Sequence, residues 1–235
     1  MESNFLLRQI MYRYKDGVHI SYTNHGLTQL GLNASFIFTL VKAFEDENEF
    51  PEHDLNRFSL NTILDYVHKT HSFYLNRKLP EIEQSISLLS ENYAHQHPLL
   101  LLLRNFYTKY AAHLQQHILD EDKKLLPYIL YLKEAVEKQL DMTYFFMRTK
   151  SCSLKKFIVG HLDTEDDLSG IRKVILSYDP PQTNQTPYRI LLMQLKAFEK
   201  DLRVHALIED RILIPRAITL EAELAKRFFK LARLN

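Results

Sequence analysis

The chain has 235 residues, which is enough for one good-sized domain or for a domain with a small appendage. Its 30 basic and 29 acidic residues leave a formal net charge of +1, so neither a nucleic-acid groove nor a polybasic membrane surface is indicated. Five Gly, eight Pro and no Trp favour an all-helical protein over a turn-rich β-sandwich. The single cysteine, Cys152, excludes an internal disulfide framework and a Cys-rich metal site made by this chain alone.

The first residues and the apolar runs predict a cytoplasmic protein. In the first 15 residues, MESNFLLRQIMYRYK, charges lie on both sides of a very short apolar run, which is not the pattern of a signal peptide. The apolar run at residues 99–103 is far too short to span a bilayer. A reducing compartment also fits the low cysteine content.

Residues 1–58 predict a small helical N-terminal region. Residues 15–17 and 24–26 contain turn-forming sequences, and the long periodic segments of the later chain are absent. Residues 34–47 predict one amphipathic helix, which ends before Pro51. The composition of this region indicates no function.

Residues 59–235 predict the main helical unit, which begins with two long helices. The first runs from Ser59 to about Tyr93, and Pro80 should kink or split it. The second begins near Pro98 and is kinked or interrupted at Pro127. Both carry apolar and His residues at spacings of three and four, which is typical of one face turned to a core. The predicted core positions are Leu64, Val67, His68, His71, Leu75, Leu79 and Ile82 on the first, and Leu102, Phe106, Tyr110, His113, His117, Glu121 and Leu125 on the second.

Two more long helices complete the predicted unit. The third covers residues 154–178, and the three prolines of residues 179–187 separate it from the fourth. We expect Thr186 to cap the fourth helix, with Pro187 at its first position and its end near Leu213. An amphipathic C-terminal segment follows. Four long helices with short to moderate connections predict an antiparallel up-down four-helix bundle.

An eleven-residue sequence occurs twice, as HILDEDKKLLP at residues 117–127 and as HALIEDRILIP at residues 205–215. Each copy places a His four residues ahead of a Glu, so both side chains lie on one face of a helix. Two such copies on facing helices offer two nitrogen and two oxygen ligands, as in a two-metal site. The alternative for each His is an ordinary core or boundary histidine bonded to a carbonyl or a carboxylate, and His113 fits either interpretation equally.

The helix faces that are predicted to be buried carry more polar side chains than an apolar core accommodates. His68 and His71 on the first helix, His117 on the second and His205 on the fourth lie among Leu, Val and Phe, and His161 begins the third. Burying unpaired groups of this kind costs several kcal/mol, which a metal pair would offset. Mixed His and carboxylate ligands without thiolate suit iron, manganese or zinc. Because two Glu are available as bridges, we favour a non-haem centre of two iron ions, and zinc or manganese stays open.

Residues 59–217 resemble the hemerythrin-like proteins, and among them the di-iron family that repairs iron–sulfur clusters. The family pattern is a His, then His-x-x-x-Glu before an apolar-Pro step, a further His, and a second His-x-x-x-Glu before Leu-Phe-Pro-Arg-Ala. The last step is IPRA at residues 214–217 here. The resemblance implies a hemerythrin-like bundle in which Glu121 and Glu209 bridge two irons, with His117, His161 and His205 as terminal ligands.

The chain departs from this family at two places. Where the family commonly has His-His-x-Tyr before Leu-Pro-Glu, this chain has HSFY at residues 71–74, so the usual ligand position falls on Ser72. The first-helix ligand is therefore His71 or His68, or one iron position is open, and we favour His71 because it lies on the core stripe. Family members often begin with a Cys-Cys pair, and residues 1–58 contain no cysteine.

The function implied by the resemblance is repair of iron–sulfur clusters damaged by nitric oxide or oxidation, with damaged iron–sulfur proteins and NO or O₂ as partners. Two alternatives stay open: a gas- or redox-sensing binding module, and a metal-free helical interaction protein. We expect no nucleic-acid or membrane partner, and a homodimer stays open. No hydrolase or transferase motif is visible, so enzymatic activity would be redox or NO chemistry at the metal.

Overall fold

The computed structural model describes residues 2–14, 24–29, 31–46, 48–92, 98–138 and 185–232, with a few isolated residues between 154 and 176. These ranges contain helices and turns and no strand, which confirms the predicted all-helical class for them. Within them, no helix is both long and apolar enough to cross a bilayer. The predicted third helix and its His161 lie almost wholly outside the described residues. The helices are α1 (Glu2–Met11), α2 (Asn24–Gln29), α3 (Ala34–Glu45), α4 (Glu52–Asn56), α5 (Leu60–Phe73), α6 (Leu79–Asn92), α7 (Pro98–Asp120), α8 (Leu126–Lys138), α9 (Thr186–Ile208) and α10 (Ile214–Ala232).

The N-terminal region contains more helix than the sequence indicated. The predicted helix at residues 34–47 is α3, whose first turn is capped by the side chain of Asn33, which accepts the N–H of Phe36. The turn predicted at residues 24–26 is wrong, because these residues form the start of α2. Helix α1 was not predicted and packs against α3. Its ten residues are too short for their apolar periodicity to be distinctive in the sequence.

The start of α9 also corrects a prediction. Gln185, and not Thr186, occupies the N-cap position, and its side chain makes no capping hydrogen bond. Thr186 is already helical and Pro187 lies in the first turn, where a missing N–H leaves no helical bond unmade.

Proline does not end or split the long helices at the predicted points. In each case the chain continues through one π-helical turn, and the residue before the proline donates its N–H to the carbonyl five residues earlier. The ring of a proline collides with the carbonyl four residues before it, and the extra residue of a π turn relieves that collision. The first, second and third π turns are Tyr74–Lys78 before Pro80, Glu121–Leu125 before Pro127, and Glu209–Leu213 before Pro215.

The core face of α7 differs from the predicted one. Leu102 and Phe106 are more than 40% exposed and His113 is also exposed. The predicted positions were spaced almost four residues apart, so they drift off one face of a helix with 3.6 residues per turn. The residues of α7 that are buried are Leu100, Leu103, Tyr107, Tyr110, Leu114 and Ile118.

Two apolar clusters make up the described core. The N-terminal cluster joins α1 and α3 to the first half of α5, to α8, to the end of α9 and to α10. The distal cluster joins α6, α7 and the first half of α9. On α5 the change from one cluster to the other falls between Val67 and Phe73, and on α7 and its π turn it falls between Ile118 and Leu125. A layer of buried polar residues lies between the clusters, and this layer holds the candidate site.

Candidate metal centre

The two repeated sequences present their His–Glu pairs as the helical spacing predicts. In the first pair, His117 Nε2 lies 3.3 Å from Glu121 Oε1, and in the second pair His205 Nε2 lies 3.3 Å from Glu209 Oε1. Both Glu residues are the first residues of π turns. Each pair therefore lies where its helix widens, directly before the proline that requires the widening.

The two pairs converge on a third imidazole. His71 of α5 places Nε2 3.4 Å from Glu121 Oε2, 3.6 Å from Glu209 Oε1 and 3.1 Å from His205 Nε2. Ligand atoms of these four residues all lie within 4.8 Å of one another, and all four residues are buried. Four groups from three helices thus enclose one point in the layer between the two apolar clusters.

The first His–Glu pair extends this cluster to a second point. The two oxygens of Glu121 face different imidazoles, with Oε2 toward His71 and Oε1 toward His117. The side chain of His117 is 18% exposed, compared with 9% for His205. Glu121 therefore lies between two candidate metal positions: one enclosed by buried side chains, and one beside His117 that lies nearer to solvent.

The spacing of the donor atoms fits a bound cation better than a set of hydrogen bonds. Two ligands at about 2.1 Å from one ion lie about 3.0 Å apart at right angles and about 3.4 Å apart in a tetrahedron. The distances in the cluster run from 3.1 to 3.6 Å, whereas a charge-assisted hydrogen bond from imidazole to carboxylate is about 2.7–2.9 Å. The donor set is nitrogen and oxygen without sulfur, which suits iron, manganese or zinc.

The electrostatics of the cluster also call for a cation. The side chains of Glu121 and Glu209 are each only 1% exposed, and buried carboxylates require a compensating charge. Burial lowers the pKa of His71, but its hydrogen bond to Asp122 and the charges of Glu209 and Glu121 outweigh that effect and raise the pKa to about 10. Without metal the pocket draws a proton to His71, and a metal ion would supply the same positive charge.

A carboxylate outside the cluster orients His71. The Nδ1–H of His71 donates to Asp122 Oδ1 at 2.8 Å, which leaves Nε2 facing the cluster. Burial raises the pKa of Asp122, but the hydrogen bond and the charge of His71 prevail and lower it. Among the described residues, the buried Nδ1 of His205 finds no hydrogen-bond partner. The His205 ring packs edge to face with the Tyr74 ring, with centroids 5.5 Å apart.

The other candidates from the sequence lie elsewhere. The side chain of His68 is 65% exposed and contacts Asp122 Oδ1 at 3.3 Å, outside the cluster. His113 is exposed, and so is Ser72, whose hydroxyl accepts the side-chain amide of Asn76. His161 lies outside the described residues. The structure thus brings together His71, His117, Glu121, His205 and Glu209 of the candidate ligands.

Tyr74 and Asp201 are buried residues facing this layer that the sequence patterns did not indicate. Tyr74 is fully buried and donates its hydroxyl to Asp201, which lies one turn before His205. The register to the following proline could have revealed Tyr74, since it stands six residues before Pro80 as Glu121 stands six before Pro127. A signal for Asp201 was its place four residues before His205, which puts both side chains on one face of the helix.

Comparison with known proteins gives one informative similarity. No protein-family model matches the chain. The chain is 19% identical over 174 residues to the iron-sulfur cluster repair protein ScdA of Staphylococcus haemolyticus, and the aligned region covers 72% of this chain and 74% of that protein. The name of this distant relative supports the repair family that the residues resemble.

Proposed function

We propose that this protein is a non-haem iron protein that takes part in the repair of iron–sulfur clusters damaged by nitric oxide or oxidative stress. The observation that carries the proposal is the convergence of four buried His and Glu side chains between two apolar clusters. The name of the distant relative supports iron as the metal and repair as the role.

The proposed ligands fall into two sets that share Glu121. His71, His205, Glu209 and one oxygen of Glu121 would hold the first ion, because their donor atoms enclose one point. His117 and the other oxygen of Glu121 would contribute to the second. From the family resemblance we add Glu209 as a carboxylate that would serve both ions and His161 as a further ligand. With these ligands the protein would hold two irons in a hemerythrin-like four-helix bundle.

The chain's own residues determine how such a centre is reached and retained. Asp122 keeps the His71 ring in one orientation, so Nε2 is ready for a ligand role without a change of rotamer. The two apolar clusters keep bulk water from both sides of the polar layer. Because His117 is the most exposed of the five grouped side chains, access from solvent passes it and the adjacent oxygen of Glu121. When bound, iron would supply electron transfer and affinity for a diatomic gas, or would itself be the cargo delivered.

Metal analysis of matched variants tests the centre. We expect about two irons per chain in the wild-type protein, with loss of both in Glu121→Gln and in Glu209→Gln, which change the charge of each carboxylate and hardly its shape. His117→Ala should keep one ion, because the first set does not use His117. His113→Ala is the control, since His113 is exposed one turn from His117 on the same helix. One zinc per chain would replace the proposal with a mononuclear site, and absence of metal would favour a helical interaction protein.

A repair assay tests the role. With inorganic sulfide and a thiol reductant present in every mixture, a [4Fe–4S] protein damaged by NO should regain its cluster absorbance faster with the iron-loaded protein than with the Glu121→Gln variant or with the same amount of free ferrous iron. Equal recovery in all three mixtures would contradict the repair role and leave the metal centre intact.

A gas- or redox-sensing module is the second candidate. It is favoured by the packing of the N-terminal region against the helices that carry the centre, since α3 contacts α9 and α4 contacts the third π turn. Sensing predicts that oxidation of the loaded protein changes this packing without releasing iron. Release of iron to a damaged protein, with no change in packing, would instead favour repair.

A further inference from the structure

One guanidinium group joins the N-terminal region to the polar layer of the metal centre. Arg13 lies two residues after the end of α1, and its side chain is fully buried. Nε donates to the hydroxyl of Thr70 at 3.0 Å, Nη1 donates to the carbonyl of Gln9 at 2.9 Å, and Nη2 donates to a carboxylate oxygen of Asp201. The guanidinium therefore ties α1 to both α5 and α9.

Aromatic rings surround this cation. The guanidinium carbon lies 5.4 Å from the ring centroid of Phe44, 5.7 Å from that of Tyr66 and 5.0 Å from that of Phe73. Burial lowers the pKa of Arg13, but the Asp201 carboxylate and the hydroxyls of Tyr66 and Tyr74 together outweigh this and raise the pKa above its ordinary value. Arg13 is thus a permanent positive charge that residues of three helices enclose.

Two short chains of contact lead from Arg13 to imidazoles of the centre. Thr70, which accepts the Nε–H, directly precedes His71 on α5. Asp201, which accepts the Nη2–H, also accepts the hydroxyl of Tyr74, and the Tyr74 and His205 rings pack edge to face. One group from the N-terminal region therefore restrains the surroundings of both buried imidazoles.

Thr70 and Tyr74, counted back from Pro80, occupy the positions that His and Glu occupy in the two repeated sequences. Thr70 stands ten residues and Tyr74 six residues before Pro80, the same offsets as His117 and Glu121 before Pro127. The first π turn has the same backbone as the other two. In this segment, however, the two side chains hydrogen-bond to Arg13 and Asp201. Neither belongs to the four residues whose ligand atoms enclose the metal position, and Tyr74 only packs its ring against one of them, His205.

We propose that Arg13 is a positioning residue of the metal centre, through which docking of α1 and metal occupancy stabilise each other. The proposal rests on the metal centre of the proposed function. By reciprocity, if docked α1 favours the metal-binding arrangement of His71 and His205, then bound metal must favour docked α1 by the same factor.

Absorption spectra and metal-release rates of the cobalt(II)-loaded protein test whether Arg13 positions the metal ligands. Arg13→Met removes the charge and keeps most of the volume, and we expect at least tenfold faster cobalt loss to EDTA with shifted ligand-field bands. Arg13→Lys should recover part of both, because a cation remains but the three directed hydrogen bonds do not. Leu224→Ala, in a buried position of α10, controls for lost stability alone and should leave the spectrum unchanged. Wild-type spectra and release rates in both Arg13 variants would overturn the proposal.

Hydrogen exchange of the wild-type full chain tests whether bound metal stabilises the docking of α1. This experiment does not depend on the folding of any variant. Amides of α1 should exchange at least tenfold more slowly in the cobalt-loaded protein than in the metal-free protein. Equal exchange in the two states would overturn the coupling. If the wild-type protein binds no cobalt, zinc or iron, the proposed function fails, whereas metal binding with unchanged exchange in α1 defeats only the role of Arg13.

Discussion

Three π turns before prolines contribute side chains to one polar layer, and the first turn differs from the other two in chemistry. Ten residues before the proline the second and third segments have His117 and His205, and the first has Thr70. Six residues before it they have Glu121 and Glu209, and the first has Tyr74. The backbone device is the same in all three. The same backbone therefore directs two positions into the layer, and the residues at those positions decide whether they form the candidate metal cluster or contact Arg13 and Asp201.

The largest expected effect comes from breaking the ion pair beside the first π turn. Asp201→Ala leaves Arg13 buried without its counter-charge, which should lower the free energy of unfolding by about 3–5 kcal/mol. Urea denaturation of the metal-free protein measures it. The double variant Arg13→Met with Asp201→Leu removes both charges and should lose much less, because apolar replacements for a buried ion pair are often neutral. A double variant as unstable as the single one would contradict this account.

The next largest effect is the loss of stability on metal removal, which should depend on the His–Glu pairs of the second and third segments. At a free metal concentration of about 1,000 times Kd, the wild-type protein should gain about 4 kcal/mol of stability over the EDTA-treated protein. Glu209→Gln should show no metal-dependent gain in a thermal unfolding series, because the buried carboxylate is lost. Tyr74→Phe is the matched variant of the first segment, and it should keep most of the gain. An equal gain in Glu209→Gln would place the metal elsewhere.

Replacing the prolines should have smaller effects, and it distinguishes the contribution of the π-turn backbone from that of the side chains. Pro215→Ala and Pro80→Ala should each lower stability by about 0.4–1 kcal/mol, because the unfolded chain gains freedom. Only Pro215→Ala should also weaken metal binding, since relaxation of the third π turn rotates Glu209 relative to His205. Competition with a chelator measures the affinities of both variants. Equal weakening in both would show that the first segment contributes directly to the metal site.

The smallest effect is expected at the surface of the same layer. His68→Ala should change stability by less than about 0.5 kcal/mol, because the side chain is mostly exposed and its contact with Asp122 is long. Metal content should stay at the wild-type value, whereas His71→Ala should lose the metal. Loss of metal in His68→Ala would show that Asp122 orients His71 only with the help of His68.

Local sequence was sufficient where one helix determines the answer. The spacing of four within each repeat puts His and Glu on one face whatever surrounds the helix, and both pairs have that arrangement. Ser59 was predicted as the start of a helix, and its hydroxyl accepts the N–H of Thr62 at the start of α5. Short-range geometry of this kind depends on a few neighbouring residues, which the sequence shows directly.

Predictions were wrong where a small error in the assumed spacing of buried residues accumulates along a long helix. A spacing error of a few tenths of a residue per turn moved the predicted face of α7 from Tyr107 and Leu114 to Phe106 and His113. The prolines were expected to kink or split the helices, and splitting was wrong, because sequence alone does not reveal that a π turn carries the chain through each proline. The choice between His68 and His71 stayed open for another reason: the ligand position of the resembled family falls on Ser72 in this chain, although the core stripe favoured His71.

The sequence by itself determined the helical class of the described ranges and the two His–Glu pairs, because each follows from composition or from the period of a single helix. Only the tertiary structure decided that His71 meets both pairs and that Asp122 orients it. It also decided that Arg13, more than fifty residues from Thr70 in the chain, joins the layer between the clusters. These contacts arise from packing between helices distant in sequence, where the free energy of burying apolar surface sets which polar groups must meet.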